Sequence, residues 1–258
     1  MTLLAADIGN AHTVLGLVED GVVGAHWRVS TDPRRTADEW GVLLRGLLGH
    51  KADKVDGIAI CATVPSVLNE CREMLARHFD HIPHLIVEPG VRTGVAVQVD
   101  NPREVGTDRI VNALAASQLG CPSIVVDFGY TATTYDVIDA AGRYVGGAIT
   151  PGIEVSLAAL SRAGAQLRQV ELVRPRGVIG KNTVEALQSG MVFGVASQVE
   201  GMVARLTAAL GAEPADVAVI ATGYLAELVM EECSCFTLHR PWLTLEGLAL
   251  VFARNARS

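Results

Sequence analysis

VVDFGYTATTYDVID, at residues 125–139, is an apolar run that ends in Asp-x-Gly, is interrupted by hydroxyl-bearing side chains and resumes as a second apolar run. The pattern predicts two strands joined by a tight turn, with Asp127 at the end of the first strand. LLAADIGNAHTVLGLVEDG, at residues 3–21, has the same form, with Asp7 in the equivalent place. The chain is therefore expected to contain an internal duplication, with one such turn in each half.

The composition is that of an ordinary globular protein. Half of the 258 residues are apolar and the formal charge is −7, which suits one large core or two modest ones. No run of Lys or Arg provides the surface that nucleic-acid binding requires, so nucleic acid is not expected as a partner. Neither a membrane span nor a secretory signal is expected, because no long apolar window is present and only five residues separate Met1 from Asp7. Five cysteines without C-x-x-C spacing are typical of reduced thiols in a cytoplasmic protein.

Both halves of the chain show the same order of elements. In each half, three strands joined by short turns form a β-meander, and strands then alternate with helices. Thr36 and Glu39 have the spacing of a capping box, so a helix is expected to begin near residue 37. We therefore expect an α/β protein with two similar lobes, residues 1–117 and 118–258, and a cleft between them.

Each Asp-x-Gly turn has the composition of a phosphate-binding loop. Glycine lets the backbone approach a ligand closely, neighbouring hydroxyl, amide and N–H groups form an anion nest, and the Asp can hold the accompanying cation. A third glycine turn, VIATG ending at Gly223, suits the nucleoside end of the same ligand. One such turn alone could be a simple strand connection. Two such turns in equivalent places favour a polyphosphate, together with a metal ion, as the ligand.

A different group of side chains opens the helix predicted in DNPREVGTDRIVNALAA, at residues 100–116. Thr107 and Asp108 stand where residues cap a helix, which requires no function. Arg109 lies in the first turn, where a cation opposes the helix dipole and an anionic substrate group would balance it. In that setting Asp108 can accept the proton of a substrate hydroxyl, as phosphoryl transfer to an alcohol requires.

Seven segments, in order and across almost the whole chain, resemble the type III pantothenate kinases. They are DIGNAHTVLGL, DNPREVGTDRIVNA, VVDFGYTATT, GGAITPGI, VIGKNTVEALQSG, VIATG and LTLEGL. The resemblance implies the actin-like (ribonuclease H-like) fold of the superfamily that contains acetate kinase, sugar kinases and actin, and it implies a homodimer. It also implies ATP-dependent phosphorylation of pantothenate to 4'-phosphopantothenate, the first step of coenzyme A biosynthesis.

The same resemblance implies roles for particular residues. Asp108 corresponds to the proton acceptor, and Asp127 to the position of a monovalent cation, potassium or ammonium, while Mg²⁺ accompanies ATP. Thr183 is expected to reach the pantothenate site of the other subunit, and the apolar helical region 182–210 is expected to form the dimer contact. The implied pantothenate-binding residues are Gly106, Thr107, Asp108, Arg109 and Thr183. The implied ATP-binding residues are Asp7, Ile8, Gly9, Asn10, Ala11, His12, Thr13, Val14, Tyr130 and Thr131.

Four positions depart from the pattern of the family. Ala11 removes a phosphate-facing hydroxyl from the first turn, and Val99 replaces a Tyr of the pantothenate pocket. Tyr224 places a ring in the third turn where the family has glycine. Tyr130 is an extra residue in the second turn, and we expect it to form an outward bulge rather than to shift the register of the following strand.

Three functions fit these observations. The first is a pantothenate kinase that works through Asp7 and Asp127 at the phosphates and Asp108 as the base. The second is a catalytically impaired binding or regulatory protein, related to Bvg accessory factor, and the departures in the nucleotide turns favour it. The third is a sugar or acetate kinase of the same superfamily, which has no sequence feature of its own.

Overall fold

The computed structural model describes residues 1–163 and 170–256, which contain two five-stranded sheets and their helices. The strands are β1 (Thr2–Ile8), β2 (His12–Glu19), β3 (Val22–Ser30), β4 (Gly57–Ala62), β5 (His84–Ile86), β6 (Ser123–Phe128), β7 (Ala132–Ile138), β8 (Tyr144–Pro151), β9 (Ala218–Thr222) and β10 (Leu238–His239). The helices are α1 (Ala37–Leu48), α2 (Pro65–His78), α3 (Thr107–Ser117), α4 (Ile153–Ala163), α5 (Thr183–Ser189), α6 (Val195–Leu210), α7 (Ala226–Met230) and α8 (Leu243–Asn255).

The two sheets have the same connectivity. The strand order is β3-β2-β1-β4-β5 in the first sheet and β8-β7-β6-β9-β10 in the second. In each sheet the first three strands form an antiparallel meander. The last two strands then join in parallel after helical connections. The predicted α/β class and internal duplication are therefore confirmed.

The first unit comprises residues 1–115 and the chain from Trp242 onward. One face of its sheet packs against α1 and α2, where Trp40 and Met74 are almost completely buried. The capping box predicted at the start of α1 is present, because both of its reciprocal hydrogen bonds form. The other face packs against α8, whose Leu248 is fully buried.

The position of α8 differs from the expected division at residue 118, which placed the whole C-terminal part of the chain in the second lobe. A Cβ atom on Gly247 would overlap the carbonyl oxygen of Val111, so α8 and α3 approach very closely. The Thr244 hydroxyl also donates to Asn112 Oδ1 at 2.8 Å, and both side chains are buried. The helical pattern of α8 indicates an apolar face but cannot indicate which sheet that face covers.

The second unit comprises residues 116–241. Helix α6 covers one face of its sheet, and Val199 packs there with Phe128 and Tyr135. The helical region expected over 182–210 is divided, because a π-helical segment lies between α5 and α6. The short α7 and β10 had no clear signal in the sequence. Among the described residues, no helix is both long and apolar enough to span a membrane.

Candidate functional site

In the first Asp-x-Gly turn, four residues, 9–12, lie between Ile8 and Thr13, the last paired residues of β1 and β2. The backbone N–H of Thr31 donates to the carbonyl of Ala11 at 2.8 Å, and the hydroxyls of Thr13 and Thr31 are 2.9 Å apart. Thr31, the residue directly after β3, therefore holds this turn in place. Ala11 contributes to the turn through its backbone, which explains how the loss of a hydroxyl at this position leaves the turn intact.

Asp7, at the end of β1, lies in an environment that disfavours its charge. Burial and the nearby charge of Asp108 raise the pKa of Asp7 to about 7. Its Oδ1 accepts a hydrogen bond from the Cys61 thiol at 3.3 Å. Burial and the Asp7 charge in turn raise the pKa of Cys61 well above its ordinary value, so this thiol remains a donor. The structure thus brings Asp7 and Asp108 together, which the sequence did not indicate.

Asp108 lies in the first turn of α3 with its carboxylate folded back over Gly106. A Cβ atom on Gly106 would overlap Asp108 Oδ1, so only glycine leaves room for the carboxylate. This oxygen and the Thr107 hydroxyl are buried without a hydrogen-bond partner among the residues the structure describes. Burial raises the pKa of Asp108, and the backbone N–H and the charge of Arg109 oppose that increase. A buried acceptor without a donor is costly, which indicates that a ligand supplies the donor.

The second Asp-x-Gly turn has the same length as the first. Four residues, 129–132, lie between Phe128 and Thr133, its last paired residues, so Tyr130 takes the place that Asn10 has in the first turn. The predicted bulge beside Tyr130 is therefore wrong. β6 and β7 pair without interruption, and the irregularity in this meander lies between β7 and β8, after Val137. Both hairpins therefore have turns of the same length.

Two glycines approach the second turn closely. The N–H of Gly152 donates to the Thr131 carbonyl at 2.9 Å, and a Cβ atom on Gly152 would overlap the carbonyl oxygen of Tyr130. Gly223 has a φ of +87°, and a Cβ atom there would lie 2.6 Å from Asp127 Oδ1. The second unit thus groups Asp127, Tyr130 and Thr131 with the third glycine turn, as the sequence suggested for one ligand.

The ring of Tyr224, directly after Gly223, is anchored. Its hydroxyl donates to Glu154 Oε2 in the first turn of α4. The sequence gave no indication of Glu154 as a partner, because the two residues are 70 positions apart. Tyr224 therefore links the third glycine turn to α4. Substitution by glycine would remove this hydrogen bond as well as the ring.

Thr183 is exposed at the start of α5, where the side chain of Asn182 caps the helix. Large apolar side chains are also exposed nearby: the exposed fraction is 66% for Val178, 86% for Ile179 and 47% for Val184. Such a group of apolar side chains is characteristic of an interaction surface.

Metal ligation by protein side chains alone is not supported within the described ranges. No group of three or more His, Cys, Asp or Glu side chains there is arranged to hold a metal ion. Asp7 nevertheless fits a cation, because a buried carboxylate beside a second carboxylate is stabilised by one. A Mg²⁺ ion bound by one carboxylate would take its other ligands from nucleotide phosphates and water.

Comparisons with known proteins agree with the geometry. The family model for type III pantothenate kinase matches residues 3–205. A type III pantothenate kinase of Nocardioides sp. is 69% identical over 257 residues, covering 99% of this chain and 100% of the relative. The type III pantothenate kinase of Thermobifida fusca is 56% identical over 257 residues, covering 98% of this chain and 99% of the relative.

Solved structures show the same fold at low sequence identity. A conserved Baf family protein from Campylobacter jejuni has a TM-score of 0.60 and 18% identity, covering 99% of this chain and 100% of that chain. The (R)-2-hydroxyglutaryl-CoA dehydratase component A of Acidaminococcus fermentans has a TM-score of 0.55 and 13% identity, with complete coverage of both chains. The fold is thus that of the actin-like ATPases, and the level of identity to the curated relatives shows that this chain belongs to the type III pantothenate kinase family.

Proposed function

We propose that Asp108 is the general base in the ATP-dependent phosphorylation of pantothenate, the activity of the family to which this chain belongs. The observation that carries the assignment is the buried Oδ1 of Asp108, which has no donor among the described residues. Its raised pKa supports the role, because a base is most effective when its pKa lies near the working pH.

In the proposed reaction, Asp108 accepts the proton of the pantothenate hydroxyl as the hydroxyl oxygen attacks the γ-phosphorus of ATP and ADP leaves. Gly106 provides the room for the carboxylate, and the Thr107 hydroxyl, which is buried without a partner among the described residues, bonds the substrate in this proposal. The guanidinium of Arg109 binds the carboxylate of pantothenate through charge-assisted hydrogen bonds. Each role belongs to the first turn of α3 or to the residue before it.

The two Asp-x-Gly turns are proposed to bind the ATP phosphates. In the first turn, residues 7–14 contact the phosphates. In the second turn, Tyr130 and Thr131 contact them. Asp7 fits Mg²⁺, which, when bound with ATP, neutralises charge on the phosphates. The raised pKa of Asp7 supports this role, because a nearby cation would restore its ionised form.

A monovalent cation, potassium or ammonium, is proposed at Asp127. The turn at Gly223 passes directly beside this carboxylate, so the cation would lie next to the third glycine turn. We also propose a homodimer, in which the exposed apolar residues around Thr183 are covered and Thr183 reaches the pantothenate of the partner subunit.

Substitution of the base tests the proposal. Asp108→Asn keeps the shape but cannot take the proton, so we expect kcat to fall by about 10²-fold or more while pantothenate binding is largely retained. The assay is ATP-dependent loss of pantothenate with potassium present. Asp53→Asn, which removes an exposed carboxylate of the same unit, is the control and should leave kcat unchanged. Full turnover by Asp108→Asn would refute the assignment.

A further inference from the structure

Asp127 lies between two threonines in the second sheet. The register pairs Asp127 with Thr134 on β7 and with Thr222 on β9. Paired residues on adjacent strands project to the same face, with Cβ atoms about 5 Å apart. One carboxylate and two hydroxyl oxygens therefore form a row across three strands.

The equivalent row in the first sheet has a different chemistry. Asp7 pairs with Val14 on β2 and with Cys61 on β4. Valine offers no ligand atom, and the Cys61 thiol points its hydrogen at the carboxylate. The two halves of the duplicated fold thus differ at this row, and only the row around Asp127 is rich in oxygen.

Asp136 lies two residues beyond Thr134 on the same face of β7, and it is completely buried. Thr134 Oγ1 donates to Asp136 Oδ2 at 3.3 Å, and the Tyr144 hydroxyl donates to Asp136 Oδ1 at 3.2 Å. A hydroxyl has one hydrogen and two lone pairs. Because the Thr134 hydroxyl donates its hydrogen to Asp136, the lone pairs of its oxygen remain available to a ligand beside Asp127.

A completely buried carboxylate is expensive to retain, and the proposed phosphoryl transfer does not use Asp136. We propose that Thr134 and Thr222 supply neutral oxygen ligands to the monovalent cation at Asp127, and that Asp136 is a positioning residue that keeps the Thr134 oxygen available. This inference rests on the proposed cation role of Asp127.

The test measures cation binding through its effect on ATP binding. Calorimetry without pantothenate gives the ATP affinity over a range of KCl, with choline chloride keeping the ionic strength constant. We expect the half-maximal K⁺ concentration to rise about tenfold or more in Thr134→Val and about threefold or more in Asp136→Asn. Thr134→Ser, which keeps the oxygen, should behave like the unaltered protein.

Thr133→Val is the matched control. Thr133 is the neighbouring residue on β7 and projects to the opposite face, and its hydroxyl is buried without a partner among the described residues. Its removal should leave the K⁺ response unchanged. If Thr134→Val does not fold, as judged by circular dichroism, Thr222→Val removes the hydroxyl on the other side and is expected to show the same rise.

The outcomes separate the inference from the proposed function beneath it. If Asp127→Asn abolishes the K⁺ response while Thr134→Val and Asp136→Asn respond normally, the inference is wrong and the Asp127 cation stands. If Asp127→Asn itself keeps the full response, the cation role of Asp127 is wrong. A rise in the half-maximal K⁺ concentration as large in Thr133→Val as in Thr134→Val would also overturn the inference. The effect would then not depend on which face of β7 carries the lost hydroxyl.

Discussion

Replacing Asp7 with asparagine is expected to stabilise the nucleotide-free protein at neutral and alkaline pH. Burial first, and then the charge of Asp108, raises the pKa of Asp7 from 3.8 to about 7. The folded state therefore holds this proton more tightly than the unfolded chain does. As the pH rises from about 4 to 7, Asp7 must ionise in an unfavourable site, so its contribution to stability falls across that window.

The magnitude follows from the same values. A difference of about 3 pKa units lowers the contribution of Asp7 to the free energy of unfolding by about 4 kcal/mol at pH 8. At pH 5 less than half of that contribution has been lost. This is an upper limit, because the site relaxes around the charge and the buried asparagine has its own cost. We expect Asp7→Asn to gain about 1–3 kcal/mol at pH 8, which raises Tm by about 2–4 °C for each kcal/mol.

Urea unfolding at pH 5 and pH 8 without nucleotide measures the effect. The gain of Asp7→Asn should at least halve at pH 5, and stabilisation by Mg²⁺ and ATP should be lost in this variant. Asp53→Asn, an exposed carboxylate in the same unit, should show no pH-dependent gain. A variant less stable than the unaltered protein at pH 8, or equally stabilised at both pH values, would refute the reasoning.

Three further predictions concern the substrate, the assembly and the second turn. Arg109→Ala should raise the pantothenate KM strongly in steady-state kinetics, because the substrate carboxylate loses its partner; an unchanged KM would place that carboxylate elsewhere. Light scattering should give about 54 kDa, twice the 27.2 kDa chain, and Ile179→Asp should give the monomer, whereas an unaltered protein that is monomeric at micromolar concentration would contradict the dimer. We expect the bulky Tyr130 ring to crowd the phosphates in the proposed site, so Tyr130→Asn, which copies the first turn, should bind ATP about tenfold more tightly in calorimetry, or about 1.4 kcal/mol. Unchanged or weaker binding would mean that the ring is a working part of the site.

Most of the fold could be predicted from local patterns. The meander of each half, the capped start of α1 and the position of α3 follow from alternation, turn residues and helical spacing, which act over a few neighbouring residues. The candidate motif of Gly106, Thr107 and Asp108 can be recognised in the same way, because the three residues are consecutive in the chain, and its role stays a prediction. The contacts of Cys61 and Glu154 could not be predicted, since each partner lies more than 50 residues away.

The sequence by itself determined the α/β class, the duplication and the family, because these depend on repeated local patterns and on the order of short motifs. Only the tertiary structure decided that α8 packs on the first sheet and that the second turn keeps the length of the first. It also decided the burial and the nearness of Asp108 that raise the pKa of Asp7 to about 7. Each of these depends on which distant residues come into contact, and charge, burial and register at a site are set by those contacts rather than by the neighbours along the chain.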